Sequence, residues 1–177
     1  MNKMSKRIKF ILLILLVLFI SVSCDQVTKQ MARDSLKGEG RIPVLGNFLV
    51  FDYAENNGAF LGMASGLKQP WRFVLLTMMP LILLLFIPVY ILHQVEQVTL
   101  FQVFALALIV GGGIGNMIDR VLHNGWVSDF MIFGIGPLRT GIVNIADICI
   151  TFGAIALLLN EVWAGILKRR RSRQAAS

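Results

Sequence analysis

Four carboxylates stand where a charge is costly. The chain holds ten acidic residues against 17 lysines and arginines, and Asp25, Asp119, Asp129 and Asp147 border or enter its long apolar stretches. Ionisable groups at such places carry function more often than decoration. Asp129 lies between apolar residues in Trp126-Val127-Ser128-Asp129-Phe130, and Asp147 lies about one turn into an apolar run, three residues after Asn144. Two carboxylates meeting in a poorly solvated site cannot both ionise easily, so one keeps its proton. The ionised member can then take a proton from water while the protonated one polarises a carbonyl. That chemistry hydrolyses an amide without a metal or a covalent intermediate. Plainer readings stand beside it. Asn144 and Asp147 have the spacing of a helix N-cap and its third-position acid, and a single Asp129 reads as a solvated loop residue. A helix N-terminus favours Asp147 as the ionised partner, the two titrating as a unit.

Other polar residues gather near the same places. Asn116, Asp119 and Arg120 close an apolar run, at spacings of three and four that share a helix face. They read either as an ordinary helix end or as a scaffold that orients the aspartates. Asp25 and Lys29 are four apart in the acid-first order that suits a helical pair. Competing sets are weaker. His123 has only Cys24 as a distant thiol, nothing in the sequence fixes Ser128 to Lys29 as a nucleophile and base, and the outer aspartates are a thin basis for a divalent metal. The two cysteines, Cys24 and Cys149, form no metal-binding spacing. No cofactor and no metal are expected.

The elements that must hold these residues are membrane spans. The chain is 56% hydrophobic with a mean hydropathy of +0.72, through runs of the ~20 residues needed to cross ~30 Å of hydrocarbon. Spans are expected at about 8–24, 71–92, 98–118 and 142–167, forming one integral membrane domain over 1–177. The first run, preceded by four basic residues and ended by Ser-Val-Ser-Cys, resembles a secretory or lipoprotein leader. Ser21 stands where a lipoprotein cleavage site wants a branched aliphatic residue, and the rest of the chain is no soluble passenger, so an uncleaved helix is expected. Pro80 and Pro88 predict kinks in the second span, with Trp71 and Tyr90 as interface aromatics. Gly111 and Gly115 form a small-xxx-small pair for close helix approach.

The net charge is +7, but nine of the 17 basic residues flank the first and last spans. This pattern fits topology signals and anionic lipid rather than nucleic acid. Both termini are then cytoplasmic, with a basic tail at 168–177, and the segments 25–70 and 119–141 lie outside. Phe48–Tyr53, between the turn signals Gly46-Asn47 and Asn57-Gly58, predicts a short surface strand. The segment 119–141, with Trp126, Phe130, Phe133 and Pro137, is expected as an interfacial loop or helix. The fold class is therefore a mainly α, four-helix membrane bundle with a small extracytoplasmic β-structure.

Five motifs in order then resemble one family. Asp25-Gln-Val-Thr-Lys29, Asn56-Asn-Gly58-Ala59, Gly111-Gly-Gly-Ile-Gly115-Asn116-Met-Ile-Asp119-Arg120, Val127-Ser-Asp129-Phe130 and Asn144-Ile-Ala-Asp147 are similar to motifs of the lipoprotein signal peptidases (signal peptidase II). The resemblance implies an aspartic endopeptidase of the bacterial cytoplasmic membrane, active at its outer face and inhibited by globomycin. It implies prolipoprotein substrates that carry diacylglycerol, cut just before the lipidated cysteine. It assigns catalysis to Asp129 and Asp147, and support or substrate binding to Asn56, Gly58, Asn116, Asp119, Arg120, Asn144, Asp25 and Lys29. A monomer in contact with membrane lipid is expected. Phe60 and Val143 depart from the family pattern and bear on fine specificity. A transporter relay would instead need carboxylates near the bilayer middle and repeat-related broken helices, and neither is visible. A noncatalytic scaffold would tolerate the loss of either aspartate.

Overall fold

The computed structural model describes residues 2–58, 66, 68 and 70–174, the side chains of 169–173 apart. The element order is helix α1 (Lys3–Ser35), strands β1 (Ile42–Leu45) and β2 (Leu49–Asn56), helix α2 (Trp71–His93), helix α3 (Leu100–Leu122), strands β3 (Val127–Ile135) and β4 (Leu138–Arg139), and helix α4 (Ile145–Gln174). All four helices are long and apolar enough to cross a membrane.

α1 outlasts its apolar run. Its 33 residues span about 50 Å at 1.5 Å each, so its last turns stand beyond the hydrocarbon. The segment after residue 24, expected outside the membrane, is helical as far as Ser35. Gln26, Lys29, Gln30, Met31, Ala32 and Arg33 are good helix formers, and Gln30 Nε2 donates to Asp34 Oδ1 across one turn (2.9 Å). In α2 the backbone widens into a π-turn over Val74–Met78. Pro80 lacks an N–H and crowds the carbonyl four residues back, and the wider turn relieves both problems. α3 starts on a capping box between Thr99 and Gln102.

α3 is the central helix. Half of its most apolar window is buried, against 11% for α2 and 17% for α4. Its glycines let three neighbours approach. A Cβ on Gly111 would strike Ser21 Oγ, and one on Gly115 would lie 2.5 Å from Asp25 Oδ2, both on α1; one on Gly112 would strike the Ala146 carbonyl of α4, and one on Gly113 would strike Leu84 of α2. The small-xxx-small pair thus receives α1. Around this bundle, residues such as Phe19, Leu85 and Leu158 remain largely exposed, an apolar band suited to lipid.

The two ends of the bundle differ. At one end Lys6 Nζ donates to the Glu96 carbonyl, and Gln102 Nε2 at the start of α3 donates to Glu161 Oε1 far along α4 (3.1 Å). Phe10, Ile14, Val17, Ile91, Val95 and Val103 form the core here. At the other end lies an antiparallel sheet in the order β1-β2-β3-β4. Phe51 pairs with Met131, Ala54 with Asp129 and Asn56 with Val127, with an irregularity between Phe51 and Ala54. The segment expected as an interfacial loop or helix instead carries strands β3 and β4. Its β-branched and aromatic side chains favour the pleat, and Phe130 packs its ring edge-on to Phe51 (6.3 Å).

Candidate active site

The site forms where β3 meets the start of α4. Val143 bridges to Met131 on β3: its N–H donates to the Met131 carbonyl (2.8 Å), and its own carbonyl accepts from the N–H groups of Phe130 and Met131. This bridge sets Asn144 beside Asp129. Asn144 then caps α4, its Oδ1 accepting from the Asp147 N–H (2.9 Å) while its own N–H reaches Asp147 Oδ2 (3.4 Å). The capping geometry legible in the sequence is present. The same asparagine also donates from Nδ2 to Asp129 Oδ1 (2.6 Å) and Asn116 Oδ1 (3.1 Å). One residue therefore caps the helix and links the two aspartates, so the plain and the chemical readings describe the same atoms.

Each aspartate has a second amide donor. Asn116 Nδ2 donates to Asp147 Oδ1 (2.9 Å), and Asn56 Nδ2, at the end of β2, donates to Asp129 Oδ2 (2.9 Å). Asn56 is itself held by the Gly58 N–H, which donates to its Oδ1 (2.8 Å). The Gly58 carbonyl accepts from Arg120 Nη2 (3.0 Å). Asp129 is only 2% exposed. Burial pushes its carboxyl up to about 7, against the hydrogen bonds of Asn56 and Asn144, and the negative charge of Asp147 adds to the rise.

Behind the aspartates lies a buried ion cluster. Lys29 Nζ meets Asp25 Oδ2 at 2.8 Å and Asp119 Oδ2 at 3.5 Å, all three side chains fully buried. It also donates to Asn116 Oδ1 (2.9 Å). With its oxygen engaged by a cation, the Asn116 amide can only turn its NH2 toward Asp147. Asp25 Oδ1 accepts from the Ala146 N–H in the first turn of α4 (2.9 Å), so α1 satisfies a helix end 121 residues away. Asp119 Oδ2 accepts from the Ser128 N–H (2.9 Å), fixing the residue next to Asp129.

All the polar positions singled out in the sequence thus join one network. Ala59 and Phe60 lie outside the described residues. Val143 lines an apolar cavity of about 330 Å³ that opens beside Asp147, with Phe133, Thr140, Ile148, Thr151 and Phe152. The serine–lysine pairing fails on geometry. Lys29 is committed to two carboxylates, while the Ser128 hydroxyl accepts from Arg33 Nη1 (2.9 Å). Sequence reading missed Arg33, and it gave Gln26, quoted within the Asp25–Lys29 motif, no role of its own. Arg33 lies 3.8 Å from Asp119 Oδ2, and Gln26 Nε2 donates to Asp25 Oδ2 and the Gly115 carbonyl (3.1 Å each). Arg33 stands one helical step of four beyond Lys29, a signal that could have found it.

The family model described as signal peptidase (SPase) II matches residues 15–163. Similar curated proteins include the lipoprotein signal peptidase of Chlorobium phaeobacteroides, 38% identical over 79% of this chain and 84% of that protein. That of Hydrogenovibrio crunogenus is 36% identical over 89% and 88%. Two solved bacterial membrane enzymes, each 32% identical, superpose with TM-scores of 0.74 and 0.72, covering 84% and 83% of this chain and 87% and 90% of theirs.

Proposed function

Because the chain belongs to the signal peptidase II family, whose work is signal-peptide cleavage of prolipoproteins, we propose that Asp129 and Asp147 are its catalytic pair. The supporting observation is their shared bracket: Asn144 touches both, and Asn56 and Asn116 each supply one more donor.

In this reading Asp147 is the ionised member. It stands in the first turn of α4, where free N–H groups and the helix dipole favour negative charge. Asp129, held up to about 7, keeps the proton and donates it to the scissile carbonyl oxygen. Asp147 takes a proton from the attacking water. Collapse of the tetrahedral intermediate returns the hydroxyl proton to Asp129 and passes the one on Asp147 to the departing amine. Atoms and charges balance with no further reactant.

The substrate carries diacylglycerol on the cysteine after the cut. The apolar cavity of about 330 Å³ beside Asp147 suits an acyl chain or an apolar signal-peptide residue, and Val143 in its wall would tune that choice. Asn56, Gly58, Asn116, Arg120 and Asn144 orient the pair and the peptide, while Asp25, Lys29 and Asp119 hold the helices that carry them. The basic ends support a topology with both termini in the bacterial cytoplasm, the site at the outer face of that membrane and the sheet lying on it. The protein works as a monomer without a cofactor, and globomycin occupies the same cleft.

The decisive experiment is cleavage of a diacylglyceryl-modified test prolipoprotein by purified Asp129→Asn and Asp147→Asn variants. General acid–base groups contribute about 10²–10⁴ in rate, and each variant should lose at least that while still inserting into the membrane. Full activity in Asp147→Asn would refute the pair.

A further inference from the structure

A second cavity lies between the start of α2 and the end of α3, and it shares no lining residue with the apolar cavity beside Asp147. Arg72 and Arg120 both line it, with Phe73, Thr77, Val121 and Asn124, and it encloses about 260 Å³. No ion pair engages either arginine among the described residues. Arg120 Nε is buried with no hydrogen-bond partner, although its Nη groups reach the carbonyls of Gly58 and Asn116. The carboxylates of Asp147, Asp129 and Asp119 act on Arg120 through space but none bonds to it. The stretch 59–69 between β2 and α2 contains no acidic residue and one lysine, so it brings no negative charge nearby.

This cavity does not end as a closed pit. Val121 is also part of an apolar groove of about 400 Å³ between α2 and α3, lined by Leu81, Leu84, Leu85, Met117 and Ile118. Val121 is 72% exposed, so polar cavity and apolar groove meet at one open seam. The paired cations stand at the start of α2 and the end of α3, at the level of Trp71, which is 65% exposed as an interface aromatic would be. The π-turn at Val74–Met78 carries Leu76 and Thr77 into the wall. Such turns recur at functional sites.

We propose that this seam binds an acidic glycerophospholipid, its phosphate between Arg72 and Arg120 and an acyl chain in the α2–α3 groove. A neutral diacylglyceryl group would fill the groove and leave both guanidinium groups and the orphan Nε unanswered. A free phosphate would leave the groove empty. A bound phosphate would also steady Arg120, which holds Gly58 and through it Asn56. The lipid reading does not require Asp129 and Asp147 to be catalytic, so either idea can fail alone, although the two sites share Arg120.

The test uses the full chain reconstituted in equal mixtures of phosphatidylglycerol and phosphatidylcholine, with retained lipids counted by native mass spectrometry after transfer to mild detergent. One basic residue near the surface gives about fivefold preference for an anionic lipid, so wild type should retain phosphatidylglycerol over phosphatidylcholine by at least that ratio. Arg72→Gln, which leaves Arg120 in place, should cut the ratio about fivefold, and Arg72→Lys should keep most of it. Leu85→Trp, at an exposed position that fills the groove, should reduce retained phosphatidylglycerol without touching either arginine. Equal retention of both lipids by wild type would overturn the proposal, as would an unchanged ratio in Arg72→Gln or unchanged retention in Leu85→Trp. Displacement by inorganic phosphate alone would assign the cavity to a free anion. Displacement by a neutral diacylglyceryl peptide, equally in wild type and Arg72→Gln, would assign the groove to substrate.

Discussion

Replacing Asn56 by alanine should move the alkaline limb of the pH–activity curve upward. Asn56 Nδ2 donates to Asp129 Oδ2 at 2.9 Å, one of two side-chain donors that favour the ionised form of this carboxyl. A hydrogen bond to a charged group contributes about 1.5–3 kcal/mol, and about 1.4 kcal/mol corresponds to a tenfold change in proton affinity. Losing the bond therefore raises Asp129 from about 7 to roughly 8–9. In the proposed mechanism the pair is active while it shares one proton, so activity falls as pH rises through the upper titration of the pair. The variant should stay active to higher pH by roughly one to two pH units, with a lower plateau because the amide no longer orients Asp129. The assay is kcat/KM for a diacylglyceryl lipopeptide across pH 5–10, with wild type and Asn56→Ala in the same lipid. An alkaline limb that stays in place, or moves to lower pH, would refute the reasoning.

Other outcomes follow from the same geometry. Gly112→Val drives a side chain into the Ala146 carbonyl and should cost about 1–3 kcal/mol of stability together with most cleavage, whereas Gly165→Ala, facing open space, should change neither; thermal unfolding and cleavage assays compare them. Lys29→Met leaves Asp25 buried without its cation and Asp119 with only Arg33 at 3.8 Å, and should destabilise the fold by about 3–5 kcal/mol, part of which Asp25→Asn should restore in the double variant, read by denaturant titration. Stability itself should fall as pH rises from about 4 to about 7. The folded Asp129 binds its proton up to about 7 against a usual 3.8, so across that window the folded state holds more protons than the unfolded state. Unfolding of Asp129→Asn followed against pH should lack this component of the slope.

The four spans were legible because they are long and apolar, and the site was legible because acids beside such runs are scarce. The limits of these readings have physical causes. β3 hid itself because Val127–Ile132 is buried on both faces, which removes the alternation that marks a half-exposed strand. The extension of α1 to Ser35 depends on Asp25 and Lys29 finding Asp119, Asn116 and Ala146, partners about ninety or more residues away that no local window contains. Asn144 was visible as a cap, but its bond to Asp129 needs the Val143–Met131 bridge, a tertiary event. Arg120 reaches the carbonyls of Asn116 and Gly58, and its place in one cavity with Arg72 depends on how α2 leans on α3.

The reach of Asp25 to the first turn of α4 has a consequence for biogenesis. The carboxylate that enters the bilayer with the earliest helix waits for an N–H that emerges from the ribosome only 121 residues later. Until the last helix has inserted, Asn144 has no α4 to start and Asp147 is missing altogether. In the proposed mechanism a nascent chain that has threaded only three helices lacks half of the aspartate pair, so competence toward peptides would arrive only when synthesis is nearly finished.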